Sequence, residues 1–175
     1  MKTDEGSLFD RLKKYDIRPI KSLGQNFLMD KNVIARIIES ADIGQDDLVI
    51  EIGPGAGSLT EIISRKAGAF AAIEIDRHMI PLLQDLLEDR EKTLLINKDV
   101  LDVNIGEEIL SVFPDFKSYK VVANLPYYIT TPIIMKFLES DRPPELMTVM
   151  MQKEVADRLR AVPGCKEYGS LTVAA

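Results

Sequence analysis

The amino-acid sequence predicts an α/β protein, a mostly parallel sheet with helices on both faces. Three observations carry that expectation. Five short, apolar, β-prone runs recur along the chain, and a segment with helical spacing of its apolar residues lies between each and the next. The length, 175 residues, suits one domain at the usual ~150 residues per domain. No internal repeat, low-complexity tract or linker interrupts the alternation.

Each element has a local reason. Leu8, Phe9, Leu12 and Tyr15 have helical spacing, which predicts a short amphipathic helix limited by Pro19. Asp30 is the expected N-cap of a second helix that carries Val33, Ile34, Ile37, Ile38 and Ala41 on one face and closes at Gly44. The first strand is expected at about Leu48–Ile52, running into Gly53. Ser58 and Glu61 have capping-box spacing, and the helix they open carries Leu59, Ile62 and Ile63 and ends at Gly68. Phe70–Ile75 reads as the second strand, ending at Asp76. A helix follows from Met79 to Leu87, with Pro81 tolerated near its start. Leu94–Asn97 is the third strand, and Ile105 to Phe113 a helix. Lys120–Ala123 is the fourth strand, and Thr131–Leu138 a helix with Pro132 in its first turn. Leu146–Met151 is the fifth strand, and Glu154–Arg160 is helical again. The division expected is an N-terminal arm over residues 1–29 and a core over 30–175.

Composition narrows the function classes. At 46% hydrophobic and 29% charged, the chain is an ordinary globular one, and its apolar runs are far too short to span a bilayer. Met1–Glu5 has no apolar stretch, so no signal peptide is expected. Cys165 is the only cysteine, which excludes an internal disulfide and fits a reducing cytoplasm. His78 is the only histidine, so no zinc cluster and no metal are expected. A net charge of −6 argues against a general nucleic-acid coat. It leaves room for a local basic face at Arg11, Lys13, Lys14, Arg18 and Lys21, although each of these alone reads as a solvated helix charge.

The tetrad Asn124-Leu125-Pro126-Tyr127 sits where the fourth strand ends, the end at which open α/β sheets bind ligands. An Asn-x-Pro turn at a strand end is common by itself. Here it unites an amide oxygen that accepts from an amine, a proline whose backbone offers only an acceptor, and a ring on which a base stacks. That set suits methylation of an exocyclic amino group.

Upstream, the first strand leads into Glu51–Thr60 (EIGPGAGSLT). A dinucleotide fingerprint needs G-x-G-x-x-G, but Ser58 stands at the third glycine position counted from Gly53. The pattern Gly53, Gly55, Gly57 is G-x-G-x-G and looks like the S-adenosyl-L-methionine (AdoMet) loop of class I methyltransferases. Glu74 lies 21 residues after Gly53, near the second strand's tip, where a carboxylate can accept both hydroxyls of a ribose. Asp99, past the third strand, can accept from an adenine amine. Either acid alone reads as well as a turn or cap residue. Acids at both successive strand tips, with the loop before and Asn124 after, make chance a poor explanation.

Four segments in order, Lys21–Leu28 (KSLGQNFL), Glu51–Thr60, Asn124–Tyr127 and Met151–Ala156 (MQKEVA), resemble the ribosomal RNA adenine N6,N6-dimethyltransferases. The likeness runs from about Pro19 to the last residue. It implies a Rossmann-like class I AdoMet-dependent methyltransferase that dimethylates two adjacent adenosines near the 3′ end of small-subunit rRNA, with the small ribosomal subunit as partner. It implies cofactor contacts from Asn26, Leu28, Glu51, Gly53, Gly55, Gly57, Glu74, Ile75, Asp99, Val100 and Asn124. It assigns the methyl-transfer site to Asn124, Leu125, Pro126 and Tyr127, with Tyr127 stacked on the target adenine. The erythromycin-resistance methylases of large-subunit rRNA share the Gln-Asn-Phe and Asn-x-Pro-Tyr elements, but Leu23-Gly24, Pro54 and Leu125 look more like the small-subunit enzymes. The mitochondrial transcription factor B group is a further relative. Outside the family, the alternatives are a DNA or protein-amide methylase, a non-catalytic rRNA-binding assembly factor, and an NAD oxidoreductase, which the missing glycine disfavours. The resemblance also implies more chain after Ala175, namely two further strands, an aromatic opposite Tyr127 and a small helical C-terminal domain. The sheet is therefore expected here without its final strands, with Leu146–Met151 as an uncharged edge prone to self-association.

Overall fold

A computed structural model describes residues 8–17, 27–125, 129–166 and 168–174. Its centre is a five-stranded, wholly parallel sheet. The strands are β1 (Leu48–Ile52), β2 (Ala69–Ile73), β3 (Thr93–Ile96), β4 (Lys120–Asn124) and β5 (Leu146–Met150). In space they run β3-β2-β1-β4-β5. The chain moves outward from β1 in one direction, then returns to lay β4 on its other side. The crevice between β1 and β4 is therefore a topological switch point, where such sheets bind ligands. Register brings the strand ends into line, since Ile52 pairs with both Ile73 and Ala123, and Ile73 pairs with Ile96.

The helices are α1 (Leu8–Lys14), α2 (Lys31–Ser40), α3 (Thr60–Lys66), α4 (Ile80–Leu87), α5 (Thr130–Leu138), α6 (Lys153–Leu159) and α7 (Ser170–Ala174). Side chains alternate along each strand, so each face of the sheet has its own core. Ile50, Ile52, Ala71, Ile73, Val121 and Ala123 pack with Ile109, Phe113 and α5's Ile133 and Phe137. On the other face Val49, Phe70, Ala72 and Val122 pack with Ile37 and Ile38 of α2 and Ile63 of α3. Both faces are covered, which is why the inner strands read as unbroken apolar runs. A third cluster seats Leu12 and Ile17 against Met79, Leu82 and Leu83, holding α1 on α4.

Several local expectations are corrected. The capping box is absent. Helix α3 begins at Thr60 with no side-chain cap, and Glu61 instead pairs with Arg11 at 2.9 Å and Arg65 at 3.0 Å. A long-range partner has outcompeted the local one. The expected helix from Ile105 to Phe113 is a single π turn over Gly106–Leu110, with Ser111 N–H donating to the Gly106 carbonyl. At its entry, side chains take over the backbone groups: Asn104 N–H donates to Glu108 Oε1, and Glu107 N–H to Asn104 Oδ1. Helix α2 stops before Gly44. The reversal uses Asp42 at φ 43°, in the left-handed region that Asp tolerates. The Asp30 cap forms as expected, accepting from Asn32 and Val33 N–H. The second strand ends at Ile73 and the fourth extends to Asn124, so Glu74 follows its strand and Asn124 closes its own.

Candidate active site

The loop after β1 turns on three glycines with positive φ, at Gly53, Gly55 and Gly57. Together with the strand ends it borders a cavity of about 480 Å³. Each strand contributes at its C-terminal end: Glu51, Gly53 and Gly55 from β1 and its loop, Glu74 and Ile75 after β2, Lys98, Asp99 and Val100 after β3, Asn124 and Leu125 at β4, and Met150 and Met151 at β5. Phe27, Leu28, Ile129 and Ile133 complete much of the apolar wall. The acids, the loop and the amide, far apart in the chain, thus share one chamber at the switch point.

Glu74 is nearly inaccessible. Its Oε2 accepts from Gly55 N–H at 2.9 Å and its Oε1 from Asp76 N–H at 2.8 Å. Burial pushes its pKa up, backbone hydrogen bonds from Asp76, Gly55 and Ile75 oppose that, and the Asp76 charge adds to the rise. The carboxyl therefore holds the glycine loop in place while leaving acceptor capacity on both oxygens, since a carboxylate offers about four lone-pair sites. Asn97 braces this tip, its Nδ2 donating to the Glu74 carbonyl at 2.7 Å and the Ile75 carbonyl at 3.3 Å. Ile75 is half exposed beside it.

Glu51 is alternate to Ile50 and Ile52 and so lies on the sheet face that α3 covers. Its Oε2 accepts from the Thr60 hydroxyl at 2.7 Å, and both residues are buried. Burial pushes its pKa up to about 8, against the Thr60 hydrogen bond and with help from the Glu74 charge. Asp99 uses Oδ1 to cap the short turn Val100–Asp102 through Leu101 N–H at 2.9 Å, so one oxygen has a structural duty. The one basic residue lining the cavity among the described residues, Lys98, is paired with Glu108. Three carboxyls and a single neutralised lysine suit a ligand that carries positive charge.

Not every expected residue meets the cavity. Gly57 does not line it, and a Cβ built there points at Leu86 Cδ1, 2.2 Å away, on the side of α4. Its place in the motif reflects close helix packing behind the loop. Leu125 borders the cavity but is also buried in the core. Asn26, Pro126 and Tyr127 lie outside the described residues, as do Arg18 and Lys21 of the basic face. Within that face Arg11 pairs with Glu61 and Lys14 with Asp85, so two of its charges serve the fold. Three contributors escaped the sequence reading. Phe27, whose ring lies 3.5 Å from a Cβ built on Gly55, was visible inside the Lys21–Leu28 segment. Thr60 was visible at the end of the loop motif. Asn97 carried no signal. Among the described residues no group of His, Cys, Asp and Glu is arranged to hold a metal ion, and no helix is long and apolar enough to cross a membrane.

The chain matches the family model described as ribosomal RNA adenine dimethylase over residues 18–175. It is 52% identical over 163 residues to the ribosomal RNA small subunit methyltransferase A of Alkaliphilus metalliredigens, covering 93% of this chain and 56% of that protein. The chain thus spans about half the length of the curated relatives it matches. Among solved structures, a dimethyladenosine transferase from Plasmodium falciparum superposes with a TM-score of 0.71 at 28% identity, covering 85% of this chain and 51% of that one. The 23S rRNA methyltransferase ErmE superposes with a TM-score of 0.63 at 30% identity, covering 76% and 50%.

Proposed function

The chain belongs to the ribosomal RNA adenine dimethylase family, and on that premise we propose that it is the cofactor-binding part of an AdoMet-dependent methyltransferase. Its substrate is small-subunit rRNA, in which it converts two adjacent adenosines near the 3′ end to N6,N6-dimethyladenosine during ribosome maturation in the cytoplasm. One observation carries the reading. The glycine loop, Glu74, Asp99 and Asn124 converge on one cavity at the ends of β1, β2, β3 and β4. Identity near 50% to small-subunit enzymes, against 30% to ErmE, favours small-subunit over large-subunit rRNA.

The residues present fit AdoMet. The cavity's carboxyls suit a cation, and the loop's positive-φ glycines let backbone approach a ligand closely. Glu74 holds the ribose hydroxyls on the acceptor sites that Gly55 and Asp76 leave free, and Asp99 takes the adenine amine on the oxygen not used as a cap. Ile75 and Val100 flank the adenine, Gly53 and Leu28 border the methionine end, and Asn26 joins them from the arm. When bound, AdoMet would supply an activated methyl on a sulfonium; the positive charge would pass with the methyl to the amine nitrogen, the thioether would leave, and the nitrogen would shed one proton to solvent. The adenine amine is a poor nucleophile because its lone pair is delocalised into the ring. Asn124 and the Pro126 carbonyl accept its N–H bonds and turn the lone pair toward the methyl, with Tyr127 stacked on the base. Positioning supplies the acceleration, up to ~7–11 kcal/mol for ideal alignment. The adenine is extruded from its RNA context to reach the site. We also propose that the outer edge of β5, which pairs only with β4 among the described residues, draws a second copy of this chain.

The test is methyl transfer from labelled AdoMet to immature small ribosomal subunits. Label in adjacent adenosines near the rRNA 3′ end is expected. Label in DNA or large-subunit RNA instead would overturn the assignment.

A further inference from the structure

Glu51 is a buried carboxyl that borders the cavity, and among the described residues its one side-chain hydrogen-bond partner is the Thr60 hydroxyl. Among the described residues, its surroundings supply no unpaired positive charge. Its register neighbours on β2 and β4 are Ala72 and Val122. From α3, Glu61 turns away to Arg11 and Arg65. The apolar cluster on that sheet face includes Ile37 and Ile38 of α2. The charged group that acts on it is Glu74, another carboxyl of the same cavity, and Lys98 is engaged by Glu108. A carboxylate so placed has lost its hydration and gained no counter-ion, which favours the neutral acid. A cation entering the cavity reverses that balance.

We propose that Glu51 and Thr60 form a proton-exchange site: the empty cavity holds Glu51 as the neutral acid, and binding of AdoMet expels that proton to solvent. The inference rests on the AdoMet reading above. In the step, the O–H bond of Glu51 breaks, its electron pair stays on the carboxylate, and the proton passes to buffer. The carboxylate then faces the cationic methionine end of the ligand, with Thr60 still donating to Oε2. Thr60 is the positioning residue, because its hydroxyl supports the ionised form. Two consequences follow. The site prefers cationic ligands over neutral nucleosides of the same shape. Affinity for AdoMet rises with pH, roughly tenfold per pH unit for one linked proton, and levels off above about 8, where Glu51 is already ionised in the empty chain.

Calorimetric titration with AdoMet at pH 7, in buffers of different ionisation enthalpy, reads the proton directly. Net release close to one proton per AdoMet is expected, whereas adenosine, which lacks the cation, should bind with almost none. Glu51→Gln keeps the acceptor for Thr60 and should abolish the release. Thr60→Val keeps the shape and should shift the release to higher pH. AdoMet binding without net proton release would overturn the proposal while leaving the cofactor reading intact. Equal release in Glu51→Gln would also overturn it and assign the proton to Glu74. A chain that binds no AdoMet at any pH would sink the cofactor reading and the proposal with it.

Discussion

Replacing Glu74 by alanine separates a ligand-binding role from a structural one. The sequence assigns Glu74 to the ribose, so its loss is expected to weaken AdoMet binding. In the structure both carboxylate oxygens are already engaged, by Gly55 N–H at 2.9 Å and Asp76 N–H at 2.8 Å. Glu74→Ala strands both donors. Each buried donor left unpaired costs ~1–3 kcal/mol. The Asp76 donor is the more deeply buried, and Gly55 is partly exposed, so the lower half of that range suits the second. Removal of a carboxyl that burial itself disfavours gives some of this back. The net expectation is a loss of about 2–3 kcal/mol in the empty chain. For a chain of this length that corresponds to a fall in melting temperature of roughly 5–10 °C. Glu74→Gln retains one acceptor and sets its NH2 against the other N–H, so about half the loss is expected. Thermal unfolding by circular dichroism, with and without AdoMet, measures both effects. The empty alanine variant should melt early, and added cofactor should restore less than it gives the unmodified chain. An unchanged melting temperature in the empty variant, with loss confined to cofactor binding, would refute the claim that Glu74 organises the loop.

Four further outcomes are expected. Asn124→Ala, made in a full-length enzyme of this family, should cut turnover on small-subunit particles by roughly 100-fold or more while AdoMet affinity stays close to normal, as steady-state kinetics beside calorimetry would reveal; near-normal turnover would remove Asn124 from the transfer step. Gly68→Ala should destabilise by about 1–3 kcal/mol or more in urea unfolding, because its Cβ would fall 1.9 Å from the Gln45 backbone oxygen, whereas Gly57→Ala overlaps the flexible end of Leu86, touches Leu82 and Leu83 at ordinary contact distance, and costs chiefly its left-handed backbone, ~1–2 kcal/mol. A smaller effect at Gly68 than at Gly57 would contradict the contact geometry. The empty chain should lose stability as pH rises from 4.5 through about 8, since Glu51 has a raised folded-state pKa and its contribution is fully present only below the unfolded value; the loss is on the order of a few kcal/mol, and Glu51→Gln should flatten the profile in chemical denaturation. Light scattering should detect concentration-dependent association through β5, and a clean monomer at high concentration would dismiss it.

The order and type of the main elements were legible in the sequence because they rest on local physics. Hydrophobic period, strand length and turn residues named β1 to β5 and most helices, and Asp30 capped α2 as its chemistry requires. The loop glycines, the strand-tip acids and Asn124 were legible because the chain's direction through a parallel sheet places every strand's C-terminal end on one rim. Tertiary structure decided what local spacing leaves open. Ser58 and Glu61 had the spacing of a cap, yet Glu61 found Arg11, distant in sequence and near in space. Gly68 read as a helix stop, and only packing shows the Gln45 backbone pressed against it. Glu51 and Glu74 each read as cofactor contacts, and only the pairing of β1 with β2 brings their charges close enough to couple. Local pattern determines which segments form, because backbone hydrogen bonds and side-chain alternation act over a few residues. Which charged and close-packed groups meet depends on strand order and register, and those are settled by burying both faces of the sheet at once.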